Sequence, residues 1–87
     1  MRKHYVRILK SFFYEQLIRT RERLRLTQTQ MARLLEMDER SYVNLDHGKS
    51  GCSGLTLARF LIYCCEDPIA FLEELRSAFE MEADHAA

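Results

Sequence analysis

The chain has 87 residues, 47% of them apolar, with 13 basic and 13 acidic side chains that cancel to no net charge. That length fits a single domain without a second, sensing unit, and the apolar share suffices to fold without a metal or disulfides. No run approaches the ~20 apolar residues of a membrane span, and the basic N-terminus lacks the apolar core and cleavage site of a secretory signal, so a cytoplasmic protein is expected.

Taken in chain order, the pattern predicts helices throughout. Phe13, Leu17, Ile18 and Leu24 form an apolar stripe at helical spacing, predicting a first helix over 11–24 with Ser11 as its cap. Residues 4–10 fit an extension of this helix, a short arm or a strand, so residues 1–10 stand as a basic arm or helix extension. Thr27 with Gln30 three positions on is a capping box, opening a short helix with Met31, Leu34 and Leu35 on its apolar face. A turn is expected near Glu36 and Met37. Asp38 then caps a third helix over 39–46, with Tyr42 and Leu45 facing inward. The glycines at 48, 51 and 54 mark the one clear loop. A fourth helix is expected over 54–64, buried through Leu57, Phe60, Leu61 and Cys64. Asp67 followed by Pro68 is a strong start signal for a fifth, with Leu72, Leu75 and Phe79 on its inner face. One domain over 11–82 results, with a frayed tail over 83–87.

The neutral total hides an uneven distribution. Residues 1–33 carry nine Lys/Arg against Glu15 and Glu22, a net of +7, and residues 34–87 carry the compensating −7. Such a split fits a polyanionic partner for one face, or two halves that interleave and pair. Cys52, Cys64 and Cys65 are odd in number, and the adjacent pair is poorly placed to bridge. At least one reads as a small core residue, with a redox sensor as the alternative. His4, His47 and His85 lack ligand spacing, so no metal is assigned. With no Gly-rich phosphate loop and no nucleophile beside a base, neither an enzyme nor a cofactor is expected.

The informative stretch is 28–47. Two short helices joined by a tight turn need apolar residues where they face the core, and Met31, Leu35, Met37, Tyr42 and Leu45 supply them. They need a small residue where they cross closely, and Ala32 supplies that. The sequence IRTRERLRLTQTQMA over 18–32, continued by Leu35, Ser41, Leu45, Gly48 and Lys49, resembles the Cro/C1-type (XRE-like) helix-turn-helix family. The resemblance covers roughly residues 15–75.

It implies an all-α, compact five-helix lambda-repressor-like domain whose third helix enters the DNA major groove. It further implies an ion pair between Arg21 and Asp46, tying the first helix to the third. Gln28, just past the cap of the second helix, is expected to meet a phosphate. Glu39, Arg40, Val43 and Asn44 are expected to face base edges: arginine grips guanine, asparagine adenine, valine a thymine methyl, and glutamate a cytosine amino group. Lys49 is expected on the backbone. The implied function is sequence-specific binding of double-stranded DNA by a transcriptional regulator. A homodimer is implied, since one small module buries little surface. No small-molecule effector is implied.

Two features depart from the family. The turn usually carries glycine where this chain has Glu36, at a position that takes a left-handed backbone. Glu36, Asp38 and Glu39 also put three acids at the start of the third helix, facing a phosphate-lined groove. The basic excess lies instead on the first helix, so affinity would rest on Arg19, Arg23, Arg25 or residues 2–10. The alternative function is a protein-interaction module, antitoxin-like or anti-repressor, with weak or no DNA binding.

Overall fold

Four polar residues set the helix starts, each by accepting from a backbone N–H three residues on. Thr27, Asp38, Ser53 and Asp67 accept from Gln30, Ser41, Thr56 and Ala70 at 2.8–3.1 Å. These caps satisfy amides that have no partner within the helix. In the computed structural model, which describes residues 2–86, the order is α1 (Arg2–Leu24), α2 (Gln28–Leu34), α3 (Glu39–Asp46), α4 (Gly54–Arg59) and α5 (Pro68–Ala86). The winding widens to a π-turn over Phe60–Cys64 after α4. No strand forms among the described residues, and no helix among them is long and apolar enough to cross a membrane. Residues 1 and 87 and the side chains of 82–86 lie outside the described residues; of the tail expected as frayed over 83–87, the backbone of 83–86 continues α5.

The first helix begins at Arg2, not at Ser11, which sits exposed in mid-helix and caps nothing. Residues 2–10 hold no glycine or proline to stop the winding, and α5 gives them a packing partner. Tyr5 meets Phe79 edge-on with centroids 5.0 Å apart, and Phe12 meets Phe71 at 5.1 Å. Leu9 also packs against the core. Of the open readings for 4–10, the helix extension is therefore the one that forms.

The core gathers Phe13 and Leu17 from α1, Met31, Ala32 and Leu35 around α2, Tyr42 and Leu45 from α3, Phe60 and Cys64 from the π-turn, and Phe71 and Leu75 from α5. The inner face of α5 holds two of the three expected residues, and Phe71 stands in the place expected of Leu72. Phe71, Leu75 and Phe79 point inward, while Leu72 is 50% exposed. Both sets have helical spacing; the rings of Phe12 and Phe60 against Phe71 decide between them. The stripe on α1 also ends early: Thr20 is buried, whereas Leu24 is exposed.

Helices α1, α2 and α3 end alike. The residue after the last turn takes a left-handed backbone, at Arg25 (φ 54°), Glu36 (φ 53°) and Gly48 (φ 71°). Each time, the next N–H reaches five residues back: Leu26 to Arg21 O, Met37 to Ala32 O and Lys49 to Asn44 O, at 2.9–3.0 Å. This Schellman closure suits glycine, yet only one of the three positions has it.

Candidate nucleic-acid interface

The α2–turn–α3 unit is fixed at both ends before any exposed residue matters. At its start, the Gln30 N–H donates to Thr27 Oγ1 and the Thr27 N–H donates to Gln30 Oε1 at 2.9 Å, completing the capping box. In the turn, the guanidinium of Arg59 donates from Nε (3.1 Å) and Nη2 (3.0 Å) to the Leu34 carbonyl, an acceptor the helix leaves open. The same group lies 3.8 Å from Glu36 Oε2 and stacks 4.7 Å over the Tyr63 ring.

Asp46 anchors the far end. Its side chain is 3% exposed and accepts hydrogen bonds from three residues. Arg21 Nε lies 3.3 Å from Oδ1 and Nη2 3.5 Å from Oδ2; Gln28 Nε2 donates to Oδ2 at 2.9 Å; the Tyr42 hydroxyl donates to Oδ1 at 3.0 Å. One buried carboxylate thus joins α1, α2 and α3. Burial first, then the adjacent Asp46 carboxylate, hold the Tyr42 phenol well above the usual tyrosine range.

Against this frame, the sequence-predicted residues divide. Arg21 and Asp46 meet as described. Gln28, expected at a phosphate, directs its amide inward to Asp46, because a buried carboxylate is a stronger acceptor than water-exposed alternatives. Glu39 is exposed but accepts from the Thr29 hydroxyl, stapling α3 to α2. Val43 is half-buried. Arg40 and Asn44 are exposed, and their side chains make no hydrogen bond or ion pair among the described residues. Four residues apart, they share one face of α3. The Lys49 side chain is exposed, and its carbonyl accepts from Lys10 Nζ at 3.4 Å.

The three acids near α3 are each engaged. Glu36 faces Arg59, Glu39 accepts from Thr29, and Asp38 accepts from both the N–H and the hydroxyl of Ser41 at 2.8 Å. The Ser41 bonds hold the Asp38 carboxyl below its usual range. Of the three, only Glu36 meets a cation among the described residues, so α3 begins beside net negative charge. The basic residues of α1 are not all available either: Arg23 donates to the Cys64 carbonyl at 3.2 Å and lies 3.8 Å from Glu66. Burial pushes the Cys52 and Cys64 thiols up, which disfavours the reactive thiolate.

Three positioning residues escaped the sequence reading. The Tyr42 hydroxyl was within reach of inference, since Tyr42 and Asp46 stand four apart on one helix. Arg59 had no local signal, because its acceptor lies 25 residues away. Lys10 meets the loop after α3 only because α1 extends past Ser11. Comparison of the chain with protein-family models, curated proteins and solved structures found no match.

Proposed function

We propose that the chain is a cytoplasmic, sequence-specific binder of double-stranded DNA that regulates transcription, built as a Cro/C1-type helix-turn-helix. The observation that carries this reading is the pair Arg40 and Asn44. They stand one helical turn apart, exposed and unpartnered among the described residues, on a helix whose last residue, Asp46, is tied to α1 and α2, and whose preceding turn is held by Arg59. A rigid helix with an arginine and an asparagine on its open face suits major-groove readout, where these side chains match guanine and adenine edges. The protein acts as a homodimer on paired half-sites, since an 87-residue module alone buries too little surface for tight specific binding.

The acidic start of α3 favours a second reading, a protein-interaction module on the same fold. Salt dependence separates the two. Duplex DNA held through several phosphates is released steeply as salt rises, because counterions compete. The DNA reading predicts retention of mixed-sequence duplex at low salt with a steep negative slope. Absence of retention even at low salt overturns it and favours the protein partner.

A further inference from the structure

The acids at the N-terminal end of α3 leave unanswered where the phosphate backbone would be gripped. The opposite end of α3 has the complementary character. There the N-terminal half of α1 runs alongside the loop that leaves α3, and an open cleft of about 460 Å³ lies between them. Its walls are Arg7, Lys10, Ser11 and Tyr14 from α1, with His47 and Gly48 opposite. Among the described residues no carboxylate lines it, and the Arg7 guanidinium lies 2.9 Å from His4 Nδ1. Lys10 Nζ donates to the Lys49 carbonyl at 3.4 Å, which ties α1 to the loop and brings the Lys49 backbone, next in sequence to the cleft residue Gly48, beside it. Gly48 closes over the Tyr14 ring: a Cβ there would sit 3.4 Å from Tyr14 Cδ1.

The position fits the geometry of a groove. Eight residues of α3 rise about 12 Å, comparable to the ~12 Å width of the B-DNA major groove. With Arg40 at the base edges, the corner after Asp46 reaches the groove wall, where a phosphate strand runs. We infer that the cleft between the N-terminal half of α1 and the loop after α3 seats one phosphate strand of duplex DNA, with Arg7, Lys10 and Lys49 as its cations. This inference rests on the DNA-binding reading above. It assigns the grip to the α1 extension rather than to the start of α2, and it gives a place to part of the basic excess of the N-terminal half.

The test is the affinity of the full chain for a mixed-sequence duplex, measured across a range of salt. The variants are Arg7→Gln, Lys10→Gln and Lys49→Gln, singly and combined. Arg76→Gln is the control, a cation on α5 paired with Glu80 at 3.0 Å. Each cleft substitution is expected to weaken every duplex alike. Each also flattens the slope of log affinity against log salt by about 0.9, and the triple variant by about 2–3. The control keeps the parent slope. Arg7 and Lys49 are exposed, so their variants are expected to keep the parent's thermal midpoint; Lys10→Gln gives up the bond to the Lys49 carbonyl, and thermal melts check that it and the triple variant remain folded at the assay temperature. A triple variant with the parent slope, or with no greater loss than Arg76→Gln, overturns the cleft while leaving DNA binding intact. A parent chain that retains no duplex overturns both.

Discussion

Arg21 on α1 and Asp46 on α3 form a two-point contact, Nε to Oδ1 at 3.3 Å and Nη2 to Oδ2 at 3.5 Å, across 25 residues of sequence. The carboxylate is almost wholly buried and the guanidinium about three-quarters so. Removing either partner leaves the other charge stranded. Asp46→Ala, which also orphans Gln28 and Tyr42, is expected to cost about 3 kcal/mol. Arg21→Ala is expected to cost about 2 kcal/mol, less because water reaches the site of the lost cation. Urea unfolding of the two variants checks both the size and the order.

Tyr42 gives the same cluster a signature in alkali. Its phenol is held protonated in the folded chain well above the usual tyrosine range. Below about pH 10 it is protonated whether the chain is folded or not, and its contribution is fully present. Above that, the unfolded chain releases the proton first, so stability falls as pH rises. Tyr42→Phe is expected to cost about 1–2 kcal/mol at neutral pH through the lost bond to Asp46. It should also flatten the alkaline decline relative to the parent, which thermal melts across that range would record.

Arg59 should matter more than its place outside the α2–α3 unit suggests. It supplies both donors to the Leu34 carbonyl and faces Glu36 in the turn. Arg59→Ala is expected to lower stability by about 1–3 kcal/mol. Arg59→Lys should recover only part of this, since an ammonium has no planar fork for the two-donor grip. Amide exchange read residue by residue should show the loss concentrated at the end of α2.

The two non-glycine residues in left-handed backbone are predicted to respond unequally. Arg25→Gly removes strain at φ 54°, and its side chain has no partner among the described residues. A gain of about 0.5–1 kcal/mol is expected, after allowing for the entropy glycine adds to the unfolded chain. Glu36→Gly removes similar strain at φ 53° but also the contact with Arg59. Its gain should be smaller. Thermal midpoints of the two variants, compared with the parent, decide the ranking.

Much of the fold was legible because its signals are local. The starts at Thr27, Asp38 and Asp67 follow from cap chemistry written within four residues, and the turn at Glu36 from one family position. What escaped depends on neighbours distant in sequence. Whether Phe71 or Leu72 faces inward is decided by Phe12 and Phe60, and α1 reaches Arg2 because α5 offers Phe79. Nothing in 55–64 signals the π-turn. Of the candidate site, the exposed face of α3 followed from helical spacing once Tyr42 and Leu45 were placed inside. The inward turn of Gln28 did not, because it requires knowing that Asp46 is buried beside it.

The central claim is that Arg40 and Asn44 read base edges, and selection of binding sites from random duplex DNA tests it most directly. The parent chain is expected to enrich a defined sequence with two-fold symmetry. Arg40→Ala combined with Asn44→Ala should lose preference at particular positions, at about 1–3 kcal/mol of discrimination for each base pair contacted, while keeping its hold on unselected DNA. A double variant that recovers the same sequences as the parent, with the same preference, would contradict the claim.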